Sequence, residues 1–162
     1  MRNDLFGEVE HVGFFLAECD VGDRQFHLAD WIAIPSDGFE IQSSYHVSLT
    51  DETIGMILRE ATSADRSLIE VHSHIGSRGG VAFSPSDVKG LREWVPSMRW
   101  RLQGRPYGAM VWDEDSFDGL AWIEPGAVAE QVGELQISDG KLIKATSLTL
   151  EILREEGDDV PL

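Results

Sequence analysis

Leu68-Ile69-Glu70-Val71-His72-Ser73-His74, followed after nine residues by Ser84-Pro85-Ser86-Asp87, is the stretch on which the fold turns. The first segment is short, apolar and β-branched, and reads as a strand. The second reads as a helix start: serine at the cap, proline at the first helical position and aspartate at the third. Val88, Leu91 and Val95 then fall at helical spacing and form the buried stripe.

Outward from this unit, residues 12–18 (Val12, Phe14, Phe15, Leu16) and Trp31-Ile32-Ala33-Ile34-Pro35 read as strands, as does Tyr45 to Leu49. Thr50 caps a first helix, with Asp51 and Glu52 favouring its dipole and Ile54, Ile57, Leu58 and Ala61 on one face. Tyr107 to Trp112 and Gly119 to Ile123 read as two strands joined by Asp113-Glu114-Asp115. Asp139-Gly140, between Leu135-Gln136-Ile137 and Leu142-Ile143, signals a hairpin. The order β-β-β-α-β-α-β-β plus a hairpin gives an α+β class, a mixed sheet sandwiched by two helices. Strict βαβα alternation does not fit.

The chain has 162 residues, with thirteen Lys and Arg against twenty-nine Asp and Glu and a net charge of −16. Residues 1–154 are expected to form one domain, followed by an acidic tail, 155–162. The negative charge disfavours nucleic acid and anionic lipid as partners. No apolar run reaches the length of a membrane span, and the first residues lack the pattern of a secretion signal. The single cysteine, Cys19, cannot form an internal disulfide, so a cytoplasmic location is expected.

Strand period two puts His72 and His74 on one face, where they can converge on one ion. Asp87, in the first turn of the next helix, is within reach of the same point. Two imidazoles and a carboxylate form the ligand set of a catalytic zinc with one position open. Apart from each other, the histidines could be sheet-edge residues and Ser84…Asp87 a plain capping box; their proximity in sequence favours a metal site.

The combination resembles the JAMM (MPN+, JAB) metalloprotease signature: a glutamate, then His-x-His, a loop and Ser-x-x-Asp. Glu10-His11-Val12-Gly13-Phe14-Phe15-Leu16 has the form of the family's Glu-x-x-Gly-apolar element. The match spans about residues 8 to 123 and is nearest to small stand-alone prokaryotic members, which act on ubiquitin-like proteins or their conjugates. The resemblance implies a cytidine-deaminase-like α/β/α arrangement and one Zn2+ per chain on His72, His74 and Asp87. It implies Glu10 as the proton carrier and Ser84 as a hydrogen-bond donor to the oxyanion. It implies an isopeptidase or peptidase cutting after the C-terminal glycine of a ubiquitin-like protein, with a bacterial conjugation operon linked to phage defence as the setting. The loop Ile75 to Phe83 is longer than the family's, and Ile75 stands where proline is common.

Glu8 shares a strand face with Glu10, and only the spacing to Gly13 favours Glu10. Glu70 shares the face of His72 and His74 and reads more readily as a solvated or supporting carboxylate. His11, His27 and His46 have no metal-ligand spacing. Lys89, Arg92, Arg99, Arg101 and Arg105 form a basic island holding Trp94 and Trp100. Trp94, Arg99 and Arg101 are the expected substrate contacts, although a solvated helix face explains them too. Two rival functions stay open: a non-catalytic scaffold of the same fold, and a zinc amidohydrolase acting on a small molecule.

Overall fold

Val12–Asp20 alternates large apolar side chains between two sheet faces, and that alternation organises the molecule. In a computed structural model, the described residues are 9–43, 46–75, 80–126, 128–137 and 139–156. Their strands are β1 (Val12–Asp20), β2 (Gln25–Ala33), β3 (Phe39–Gln42), β4 (Val47–Leu49), β5 (Ser67–Ser73) and β6 (Tyr107–Trp112), then β7 (Phe117–Trp122), β8 (Glu130–Gln131), β9 (Glu134–Gln136) and β10 (Leu142–Lys144). The helices are α1 (Asp51–Ala64), α2 (Pro85–Arg101) and α3 (Leu148–Glu156).

Six strands form one mixed sheet in the order β2-β1-β5-β6-β7-β8. All neighbours are antiparallel except β5 and β6, which run parallel because α2 carries the chain back between them. The class is α+β, as the sequence implies. β3 pairs with β4 and β9 with β10 as separate two-stranded hairpins. The second is the Asp139-Gly140 hairpin, with Gly140 at φ 86°, a left-handed conformation that suits glycine.

One sheet face carries Val12, Phe14 and Leu16 of β1, Leu68 of β5, Tyr107, Ala109 and Val111 of β6, and Leu120 and Trp122 of β7. Ile57 and Ala61 of α1, Val88, Leu91, Val95 and Met98 of α2, and Leu153 of α3 pack into this same cluster. The α/β/α sandwich expected from the sequence therefore gives way to helices gathered on one face. The physical reason lies on the opposite face. Ile69, Val71, Met110 and Phe117 are buried there against Trp31, whose side chain reaches over from β2, and against Leu135 and Ile143 of the β9–β10 hairpin.

Thr50 caps α1, accepting from the Thr53 amide, and Ser84 caps α2 in a complete capping box with Asp87. Sequence reading misses the first half of β2, the short β3 and β8, and α3. Residues 155 and 156, assigned to the tail, continue α3. Among the described residues, no helix is long and apolar enough to cross a membrane.

Candidate metal centre

Strand register builds the site. β1 runs antiparallel to β5 with Val12 opposite His72. The Ser73 amide donates to the His11 carbonyl at 3.0 Å, and the His11 amide to Ser73 Oγ at 3.0 Å, continuing the pairing past the strand end. Continued two residues past Val12, the same register would set Glu10 opposite His74. Period two then places Glu10, His72 and His74 on the helix-covered face.

Gly13, the glycine of the Glu-x-x-Gly pattern, has its own reason in packing. A Cβ there would collide with the Trp31 ring, which lies across β1. The residue is small because a neighbouring indole occupies the space above it.

The α2 capping box delivers the third member of the candidate cluster. Asp87 Oδ2 accepts from the Ser84 amide at 2.7 Å, lies 3.1 Å from His74 Nε2 and 3.7 Å from His72 Nε2. The donor atoms of His72, His74 and Asp87 all lie within 4.8 Å of one another, a spacing that can hold a metal ion. His72 is 5% exposed, and among the described residues its Nε2 has no partner within hydrogen-bond distance. A buried polar atom left unpaired is costly, and a metal would satisfy it. The residues fit a divalent ion of the imidazole-binding kind.

Electrostatics agree. Burial alone would raise the Asp87 carboxyl, but the imidazoles of His72 and His74 and the Ser84 amide hold it well below the usual carboxylate range. Burial tends to keep His72 neutral, yet Asp87, with Glu70 and Glu10, lifts its pKa above the ordinary value. Glu10 is pushed up by burial, partly offset by His74 and His72. These carboxylates and imidazoles feel one another strongly, which a shared ion would exploit.

The loop between ligands is anchored at its far end. The Phe83 amide donates to Thr149 Oγ1 at 3.0 Å, and Thr149 in turn donates through both N and Oγ1 to the buried Asp118 carboxylate. Phe83 packs edge-on against the His72 ring. The unforeseen α3 thus fixes where α2 begins. Residues 76–79 of the loop, and Glu8, lie outside the described residues.

A cavity of about 490 Å³ opens beside the cluster, and Glu10, Glu70, His72, Asp87 and Trp94 are among the residues that line it. Glu70 is not a solvated carboxylate: Tyr107 donates to its Oε2 at 2.8 Å, and Trp94 Nε1 donates to the Tyr107 oxygen at 2.9 Å. His46, which carries no metal-ligand spacing and is exposed, lines the cavity and lies near enough to act on Glu10. No protein-family model matches this chain, and no curated protein does. The case for function therefore rests on the residues themselves.

The expected substrate contacts divide. Trp94 lines the cavity, whereas Arg99 and Arg101 sit twelve and fourteen residues beyond Asp87, roughly 18–21 Å along the helix. Arg99 is buried, with its guanidinium on the carbonyls of Arg105 and Gly104, so it closes the turn after α2 and is corrected to a structural role. Arg101 and Trp100 are exposed at the helix end away from the ligands.

Two contributors escaped the sequence reading. Ser86, whose Oγ lies 2.8 Å from Ser84 Oγ, lines the cavity. Gln42 Nε2 donates to the Glu10 carbonyl at 3.1 Å, while the Glu10 amide donates to the Ser43 carbonyl at 2.9 Å. The Gln42–Ser43 segment thus grips Glu10 from both sides. No local signal in Gln42 shows this, because the contact spans 32 positions.

Proposed function

We propose that this chain is a zinc-dependent isopeptidase or peptidase of the JAMM type, cutting after the C-terminal glycine of a ubiquitin-like protein. The observation that supports the reading is that Glu10 lines the same cavity as His72 and Asp87, close enough for the imidazoles of His74 and His72 to act on its carboxyl. An acid-base group beside a three-ligand metal cluster is the arrangement of metal-assisted amide hydrolysis.

His72, His74 and Asp87 would hold one zinc ion per chain. When bound, zinc supplies Lewis-acid polarisation of the amide carbonyl and lowers the pKa of water. Glu10 takes the proton of the attacking water on its carboxylate and hands it to the leaving amine. Gln42 and Ser43 keep Glu10 from swinging off the ligand cluster. Ser84 Oγ accepts from the Asp87 amide, and when Ser86 Oγ donates the hydrogen bond the two hydroxyls share, the Ser84 proton can turn toward the oxyanion. No covalent intermediate on the chain is required.

The substrate tail would lie extended beside the ligands, and the acidic surface suits a partner with a basic tail. A reducing, cytoplasmic compartment agrees with one unpaired cysteine. A bacterial conjugation system linked to phage defence remains the proposed setting. A second reading, hydrolysis of a small-molecule amide by the same residues, is favoured by the size of the cavity, which exceeds the needs of a diglycine tail.

The test is cleavage of ubiquitin-like fusions and lysine-linked conjugates by the zinc-loaded chain, beside Glu10→Gln. Loss of cleavage in that variant, with zinc retained, supports the proposal. Cleavage of small amides but of no protein conjugate would move the function to the second reading.

A further inference from the structure

The metal cluster has a support that comes from the other end of the chain. Val81, Phe83 and Ser84 lead into α2, and residues 146–149 grip them from the side. Thr146 Oγ1 donates to the Val81 carbonyl at 2.6 Å, and the Val81 amide donates to Ser116 Oγ at 3.1 Å. The Phe83 amide donates to Thr149 Oγ1 at 3.0 Å, and that hydroxyl in turn donates to Asp118 Oδ2 at 2.6 Å. Asp118 is fully buried and also accepts the Thr149 amide, at 2.8 Å, with the Gly119 amide and Gln131 Nε2 on its other oxygen. Buried hydrogen bonds of this kind hold their parts in one arrangement, because a member left unpaired is costly.

What Thr149 holds adjoins the candidate ligands. Phe83 lies edge-on to the His72 ring, with ring centres 5.5 Å apart. The next residue is Ser84, whose amide donates to the Asp87 oxygen that lies 3.1 Å from His74 Nε2. A shift of Phe83 therefore moves both the wall behind His72 and the cap that aims Asp87. The helix that carries Thr149 is lightly attached. Among its described side chains Thr149 and Leu153 are buried, while Glu151, Ile152 and Arg154 are exposed. A helix of nine residues has little stability of its own and stays where its anchors hold it.

We propose that Thr149 is a positioning residue for the metal centre, and that docking of α3 is coupled to metal binding. With α3 seated, Phe83 and Ser84 keep His72 and Asp87 at ligand spacing. An ion bound there fixes Phe83 in turn, and through it α3. Such coupling is reciprocal: the factor by which a docked α3 strengthens zinc binding is the factor by which zinc strengthens docking. The consequence is a control point remote from the ion, since whatever loosens α3 weakens the metal without touching a ligand. The proposal rests on the metal-centre part of the reading above and not on the hydrolysis of any substrate.

The experiment is zinc titration of the full chain in competition with a chromogenic chelator, for wild type, Thr149→Val and Thr149→Ser. Valine keeps the shape and removes both hydrogen bonds of the hydroxyl; serine restores them. Thr149→Val should bind zinc about tenfold or more weakly, and Thr149→Ser within about threefold of wild type. Arg99→Ala is the control, because it costs stability at the far end of α2 and should leave zinc affinity unchanged. Hydrogen exchange reads the reciprocal effect: zinc should slow the exchange of the wild-type amides from Glu151 to Arg154. Equal zinc affinity in wild type and Thr149→Val, or α3 exchange indifferent to zinc, would overturn the proposal and leave the metal centre standing. A loss of affinity matched by Arg99→Ala would overturn it as well, reducing Thr149 to a general effect on stability. If Thr149→Val does not fold, exchange in the wild-type chain decides. A wild-type chain that takes up no zinc overturns the proposal and the metal reading together.

Discussion

Asp87 Oδ2 accepts the Ser84 amide at 2.7 Å while lying 3.1 Å from His74 Nε2, so one oxygen belongs both to a helix cap and to the cluster that could hold a metal. The two duties can be separated by substitution. Asp87→Asn keeps an acceptor for the cap and loses the charge, so zinc should be lost with little change in apo stability. Asp87→Ala should lose zinc and also cost about 0.5–2 kcal/mol of apo stability. Elemental analysis and urea unfolding of both variants check this.

The pH dependence has a definite sign. His72 has a raised folded pKa in the metal-free chain, so its contribution to stability is complete below the ordinary value of 6.5 and fades as pH rises through the folded value. Zinc binds the neutral imidazole, so its uptake strengthens over the same rise. The zinc-induced increase in Tm should therefore grow with pH from 6.5 upward, while the apo Tm declines. Scanning calorimetry with and without zinc reads both trends, and a zinc effect that shrinks with pH would contradict them.

Glu10 and Gln42 should differ in kind. Glu10→Gln removes the acid-base group and should lower kcat by about 10²–10⁴-fold with zinc content unchanged. Gln42→Leu removes only the grip on the Glu10 backbone, so it should lower kcat by a smaller factor, with KM and zinc content near wild type. Equal losses in both would mean that Gln42 does more than position its neighbour.

Arg99 and Arg101 offer a contrast between brace and surface. Arg99→Ala strips partners from the carbonyls of Gly104 and Arg105 and should cost about 1–3 kcal/mol. Arg101→Ala should stay within about 0.5 kcal/mol. Neither should alter KM for a conjugate, because both lie at the far end of α2 from the ligands.

Local chemistry made much of this legible. Thr50 and Ser84 announce their helices by capping, and period two alone puts His72 and His74 on a common face. What stayed hidden depends on contacts distant in sequence. Nothing near Arg99 tells that its guanidinium turns inward, and nothing near Thr149 tells that α3 anchors Phe83. The placement of both long helices on one face followed from Trp31 and the β9–β10 hairpin covering the other, a matter of tertiary competition that no single segment records. Sequence alone left Glu70 as either a solvated or a supporting carboxylate, because the group that fixes it, Tyr107, lies 37 residues away.

The central claim is that His72, His74 and Asp87 hold one zinc ion. Its most direct test is elemental analysis of the chain purified without added metal, beside the double variant His72→Ala/His74→Ala, with a folded variant confirmed by circular dichroism. The geometry leads us to expect near one zinc per wild-type chain and none in the variant. A wild-type chain that holds no metal and takes up none when zinc is supplied would contradict it, and would leave Ser84 and Asp87 as the cap of a helix.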